Sequence, residues 1–198
     1  AMLGHPDVTE ALSPFQPVGW CAGIRRGEAD MPAFRFGGDA RIGEEPVSRD
    51  TIFRIASISK VFGAAAAMRL VGEGKLTLDG DIAEVFGFDP GRVITLRQLL
   101  THTAALDDAA AYDEAIEHPD DMPPLDQILK KSHLRFAPGT RFRYSNLGAG
   151  VIGMLIEKVT GMLFDDYIRE CFFTPHGIDA SFHPQRIRRK DLMANCYR

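Results

Sequence analysis

The 198-residue chain is 45% hydrophobic and 25% charged, an ordinary globular composition with enough length to bury one large core or two small ones. Its 27 acidic and 23 basic residues leave a net charge of −4, so no broad basic field favours nucleic acid, and the one basic cluster, "RIRRK" at Arg186 to Lys190, reads as a solvated face. No apolar run approaches the roughly 20 residues that cross a bilayer, Cys21, Cys171 and Cys196 fit neither a disulfide framework nor a CxxC pattern, and the six histidines lack ligand spacing, so no metal or cofactor is expected.

The first residues, "AMLGHPDVTEAL", lack the parts of a secretory signal. A cytoplasmic location follows if Met2 is the natural start, a periplasmic or secreted one if a leader was removed. "VGWCAGIRRG" (Val18 to Gly27) and "AFRFGGDARI" (Ala33 to Ile42) are rich in small and β-branched residues on either side of a polar stretch, which predicts an antiparallel hairpin. From Ser57 the pattern turns helical. Val61, Ala64, Ala65, Met68 and Val71 recur at three- and four-residue spacing, with Gly72 and Gly74 as the stop. "ITLRQLLTHTAAL" starts another helix, where Thr95 and Gln98, three apart, form a capping box. Asp107 to Pro124 is polar and interrupted by His118-Pro119 and Pro123-Pro124, which predicts loop with a short helical piece. Leu125 to Lys131 resumes a helix, and Pro138-Gly139 makes a turn. Leu147 to Val159 repeats apolar residues up to a C-cap at Gly161, and Leu163 to Phe173 forms one more amphipathic helix. Two strands alone make a poor sheet, and "DLMANCYR" ends without a taper, so the architecture reads as incomplete.

The opening of the first long helix carries a chemical question. Ser57 and Lys60 stand at i and i+3, so they share a helix face and the lysine amine can reach back to the hydroxyl. A serine hydroxyl is a weak nucleophile and needs such a base. A lysine serves only when burial or nearby charge favours its neutral form, and Val61, Phe62 and the alanine run suggest an apolar cover. At a helix amino end the dipole and unpaired amides favour developing negative charge, and the Ser57 N–H can supply one oxyanion donor. The plainer alternative is that Ser57 is an N-cap and Lys60 a solvated lysine. In "RYSNLG", Tyr144 and Asn146 are two apart and in extended backbone point the same way. Tyrosine can relay a proton, and the asparagine amide can hold a lysine and bind a substrate carbonyl. Here the alternative is a packed tyrosine and an asparagine cap.

Taken together with their surroundings, these motifs resemble the serine β-lactamase and penicillin-binding-protein superfamily, in its class C-like branch. That branch includes D-alanyl-D-alanine carboxypeptidases, D-aminopeptidases and related esterases. The resemblance runs from about Gly19 to Tyr197 and is carried by "DTIFRIASISKVFGAAAAMRLVGEGKLTLDGDI", "ITLRQLLTHTAAL", "FAPGTRFRYSNLGAGVIGMLIEKVTG" and "FFTPHGID". It implies an α+β fold of the β-lactamase/DD-peptidase type, with residues 1–56 holding the first strand pair and 57–198 a mainly helical region carrying S-x-x-K and Y-x-N. It also implies that Ser57 is acylated, that Lys60 is its partner amine, that Tyr144 is the base that activates water, and that Asn146 binds the substrate amide. His102 falls in a stretch that is structural in this family, which implies a packed, hydrogen-bonded imidazole.

Two departures stand out. Ala104-Ala105 occupies the place of a serine-glycine pair, and the family's third motif, Lys or His, then Thr or Ser, then Gly, has no copy after Asn146. Family members continue past the position of Arg198 with further sheet strands, so the chain is expected to be the N-terminal portion of a longer enzyme. The expected function is a serine hydrolase acting on a β-lactam, a D-amino-acid peptide or a carboxylic ester, with a small molecule or peptide as partner. The alternatives are a non-catalytic binding or assembly module on the same fold, or a fragment inactive without the remaining strands.

Overall fold

A computed structural model describes residues 8–25, 27, 33–86, 91–117 and 123–196; the expected break at His118-Pro119 lies outside the described residues. The residues before Ser57, joined by the tail from Ile187, make one unit, and Ser57–Arg186 make a second.

In the first unit a short helix, α1 (Val8–Leu12), precedes the expected hairpin. β1 (Gly19–Ile24) runs antiparallel to β2 (Ala33–Arg41), with Gly19 opposite Gly38 and Ile24 opposite Ala33. Only glycine suits position 38: its φ is +75°, and a Cβ there would lie 2.1 Å from the Val18 carbonyl oxygen. A third strand, β3 (Glu45–Pro46), pairs with β2 beyond an irregularity between Asp39 and Arg41. The two-strand expectation missed it because two residues carry no alternation to read. Its proline is tolerated because β3 ends the order β1-β2-β3. The tail pairs here too. Ile52 N–H donates to Leu192 C=O at 2.8 Å, Ala194 N–H to Ile52 C=O at 2.9 Å, and Asn195 N–H to Ala40 C=O at 2.9 Å.

The second unit is helical: α2 (Lys60–Gly72), α3 (Ala83–Phe86), α4 (Leu96–Leu100), α5 (Ala109–Glu117), α6 (Leu125–Lys131), α7 (Asn146–Thr160) and α8 (Phe164–Ile168). Its core gathers around α7, where Val151, Ile152, Leu155 and Ile156 join Ala66, Ala67 and Leu70 of α2 and Leu96 and Leu99 of α4 in one buried cluster. Each large aliphatic side chain buried this way contributes on the order of 1.5–3 kcal/mol.

The inward stripe of α2 is not the one its spacing suggested. Gly63, Ala66, Ala67 and Leu70 are buried, while Val61 and Met68 are 62% and 45% exposed. The segment is apolar on nearly every side, so periodicity does not orient it, and burial goes to the small residues that allow close approach of a neighbour. The capping box is as expected: Gln98 N–H donates to Thr95 Oγ1 at 3.2 Å and Thr95 N–H to Gln98 Oε1 at 3.1 Å. Gly161 ends α7 at φ +69°. The single helix expected from Leu163 to Phe173 is instead α8 followed by a π-helical turn, Arg169–Phe173, and Phe173 is buried with its ring 4.9 Å from that of Phe62. Nor is the basic cluster only a solvated face. Arg186 donates to the buried carboxylate of Asp165 at 2.5 Å, and Asp165 also accepts from Ser181 Oγ and Phe182 N–H, which pins the segment after α8. Among the described residues no single helix is long and apolar enough to cross a membrane.

Candidate active site

Ser57 and Lys60 meet through local geometry. Ala56–Ser59 form a 3₁₀ turn and Lys60 begins α2. With about three residues per turn, positions i and i+3 eclipse, and Lys60 Nζ donates to Ser57 Oγ at 3.1 Å. The turn is entered through Ala56 at φ +44°, a left-handed conformation that costs a residue with a side chain about 1–2 kcal/mol. Ser57 does not act as the cap of α2. That position belongs to Ser59, whose side chain makes no cap bond, whereas Ser57 Oγ, exposed to solvent, bonds to Lys60 and Tyr144.

The second segment is laid along residues 102–105 by backbone hydrogen bonds: Gly139 N–H to Thr103 C=O at 2.8 Å, Arg143 N–H to His102 C=O at 2.7 Å, and Arg135 N–H to Ala105 C=O at 3.0 Å. These acceptors lie in a turn with two left-handed residues, His102 at φ +55° and Ala105 at φ +63°. The turn forms with Ala104-Ala105 in place, and Ala105 is buried in a conformation that glycine adopts more easily.

Ser145 is extended (φ −139°, ψ 129°) and caps α7, its Oγ accepting Gly148 N–H at 2.9 Å. The cap considered for Asn146 thus falls one residue earlier. Because alternate residues of an extended segment share a side, Tyr144 and Asn146 turn together toward the start of α2. Tyr144 Oη donates to Ser57 Oγ at 2.8 Å. Lys60 Nζ donates to Asn146 Oδ1 at 2.9 Å and lies 4.8 Å from the centre of the Tyr144 ring. All four residues singled out from the sequence are in one hydrogen-bonded group.

Two further members carried no distinguishing sequence signal. Tyr112 on α5 accepts from Asn146 Nδ2 at 3.1 Å. Asp108, 8% exposed, accepts from Ser145 Oγ at 2.6 Å, Asn146 N–H at 2.6 Å and Leu147 N–H at 3.1 Å. An acidic residue just before a helix is an ordinary helix-start feature, so nothing marked Asp108 out. His102 accepts Ser145 N–H on Nδ1 at 3.3 Å and stacks on the Tyr144 ring, centroids 4.5 Å apart, the packed and hydrogen-bonded position expected of it.

The charges act on the two rings in the same direction. Hydrogen bonding by Lys60, then by Ser57, holds the Tyr144 phenol below its ordinary value, against slight burial and the Asp108 charge. Burial, helped by Lys60 and opposed by Asp108, holds the His102 imidazole below its ordinary value, which suits its role as acceptor. The expected apolar cover over Lys60 is incomplete, since Val61 is 62% exposed. The group tuned toward proton transfer is the phenol. A hydroxyl bonded to both an amine and an acidified phenol can be deprotonated and attack an electrophilic carbon.

The Beta-lactamase family model matches residues 30–195. Penicillin-binding protein 4 of Amycolatopsis lactamdurans is 30% identical over 154 residues, covering 68% of this chain and 37% of that protein. Lovastatin esterase of Penicillium rubens is 31% identical over 178 residues, covering 76% and 44%. Among solved structures, the octameric penicillin-binding protein homologue from Pyrococcus abyssi superposes with a TM-score of 0.78 at 26% identity, over 94% of this chain and 45% of that one. The chain spans 30% to 44% of the length of these and similar curated relatives.

Proposed function

The chain belongs to the Beta-lactamase family, with the α+β fold of the penicillin-binding-protein superfamily, and on that premise we propose that it acts as a serine hydrolase, cleaving an amide or ester through an acyl-enzyme on Ser57. The observation that carries the reading is the convergence of Lys60 Nζ and Tyr144 Oη on one exposed oxygen, Ser57 Oγ, from segments 87 residues apart.

Tyr144 is the general base. Its phenol is held below the ordinary value chiefly by Lys60, which brings the phenolate closer to working pH. The phenolate takes the Ser57 proton across the 2.8 Å contact, Ser57 Oγ attacks the carbonyl carbon, and the C=O electron pair moves onto oxygen. The Ser57 N–H at the amino end of the helix offers that oxygen one donor. When the carbonyl re-forms, the bond to the amine or alkoxide breaks, and the leaving group takes the proton from Tyr144. Lys60, donating to Ser57 Oγ, opposes the charge that builds there, and Asn146, which accepts from Lys60, orients it and binds the substrate amide. In the second half a water gives its proton to Tyr144 and adds to the ester carbon, and Ser57 departs with that proton. β-Lactams, D-amino-acid peptides and carboxylic esters all suit this sequence of steps. The names of the relatives, a penicillin-binding protein and a lovastatin esterase, support that range.

Intact-mass spectrometry after incubation with a penicillin or a fluorophosphonate tests the reading. A single adduct, lost in Ser57→Ala, is expected. A folded product of the complete gene that forms no adduct with either reagent refutes it and favours a binding or assembly module.

A further inference from the structure

Asp108 joins the two helices that carry the outer half of the site. Its backbone carbonyl accepts Ala111 N–H at 3.0 Å and Tyr112 N–H at 3.1 Å in the first turn of α5. Its carboxylate takes Ser145 Oγ–H, Asn146 N–H and Leu147 N–H at the start of α7. One residue therefore connects the helix of Tyr112 to the helix of Asn146, and these two side chains bond to each other at 3.1 Å. Ser145 caps α7 through Gly148 N–H alone, and the Asp108 carboxylate takes the free N–H groups of Asn146 and Leu147 just before Gly148, from outside the helix. A buried carboxylate is costly unless hydrogen-bonded. This one is satisfied by donors from three successive residues, 145 to 147, which leaves the stretch next to Tyr144 little freedom.

We propose that Asp108 is a positioning residue of the site: its carboxylate sets the backbone between Tyr144 and Leu147, placing the phenol and the Asn146 amide opposite Ser57 and Lys60, while its carbonyl holds Tyr112 against Asn146. The inference rests on the acyl-enzyme reading above. The groups facing Tyr144 are Ser57 of the 3₁₀ turn, Lys60 of α2, His102 after α4, and the Asp108 charge before α5. The neighbouring Asp107 is paired with Arg135 at 2.8 Å and Arg143 at 3.4 Å, whereas the donors to Asp108 are neutral.

Asp108→Asn keeps the shape, removes the charge and exchanges one acceptor for a donor. Two measurements follow it. Ionisation of Tyr144 is read from tyrosinate absorbance, as the difference between each protein and its Tyr144→Phe counterpart. Acylation of Ser57 by a penicillin is read by intact mass across pH. In Asp108→Asn the plateau acylation rate per folded molecule is expected to fall about 10- to 100-fold, as displacement of a reacting group by around an ångström does, and Lys60→Ala, which raises the Tyr144 titration in the wild type, is expected to raise it less in this background. Ser145→Ala removes one of the three bonds but keeps the charge, so it is expected to lower Tm and leave the titration where it is. An Asp108→Asn protein whose acylation rate per folded molecule equals that of the wild type overturns the proposal, whatever its Tm. If Asp108→Asn does not fold, Asp108→Glu takes its place: a slowed rate supports the proposal and an unchanged one overturns it. A wild-type protein that is never acylated refutes the acyl-enzyme reading by itself. The titration then decides for Asp108: a smaller rise on Lys60→Ala in Asp108→Asn than in the wild type supports it, and an equal rise overturns it.

Discussion

Replacing Tyr144 by phenylalanine removes one oxygen and leaves the ring, so stability and activity should respond very differently. Tyr144 is 45% exposed and its ring stacks on His102 at 4.5 Å; phenylalanine keeps both the stack and the buried area. What is lost from the fold is the 2.8 Å hydrogen bond to Ser57, worth about 0.5–1.5 kcal/mol, which amounts to a Tm drop of a few degrees. What is lost from the reaction is a general base, a factor of about 10² to 10⁴ in rate, or roughly 2.7–5.4 kcal/mol of barrier. The two effects differ by enough to separate them. The assay is the rate of penicillin acylation, read by intact mass over a range of pH, alongside thermal melting followed by circular dichroism. In the wild type the rate should climb with pH through the phenol ionisation, which lies below its ordinary value because of Lys60 and Ser57; in Tyr144→Phe that limb should vanish. Coincident pH–rate curves for the two proteins, counted per folded molecule, would refute the assignment of Tyr144 as base. So would a loss of folded protein large enough to explain the whole drop in acylation.

Other substitutions probe neighbouring links in the argument. Lys60→Ala removes the donor to Ser57 Oγ and Asn146 Oδ1; acylation should fall at least about 100-fold and the Tyr144 phenol should titrate at higher pH, and an unmoved titration would contradict the contact. Because the folded His102 value is lowered, the unfolded chain binds the extra proton, so its contribution to stability is complete above about pH 6.5 and is lost as pH falls toward the lower folded value; urea midpoints across that window should flatten in His102→Gln. Ile156→Ala opens a cavity at a fully buried position and should cost about 2–5 kcal/mol in urea unfolding. Gly38→Ala forces a Cβ against the Val18 carbonyl at φ +75° and should cost about 2–5 kcal/mol; a melting curve matching the wild type would show that the strand can shift instead.

Where the sequence was legible, the relevant geometry was local. Thr95 and Gln98 cap α4 because a three-residue offset at a helix start brings side chain and backbone within reach whatever surrounds them. Gly161 and the hairpin were legible for similar reasons. The reading went wrong on α2, where "KVFGAAAAMRLVG" offers an apolar residue in almost every direction and the neighbours choose which stripe to cover. Asp108 and Tyr112 were missed because neither has a spacing that sets it apart. β3 and the tail at Ile52 and Ala40 were missed because strand pairing between distant segments leaves no trace in either one.

By itself the sequence determined two half-sites. The i, i+3 offset aligned Ser57 with Lys60, and the alternation of extended backbone aligned Tyr144 with Asn146, since over three or four residues backbone geometry dictates direction. That the halves face each other, and that Asp108 and Tyr112 complete them, was decided only by the packing of α2, α4, α5 and α7. Contacts across 34 to 87 residues depend on how buried surfaces fit, and no local spacing encodes that.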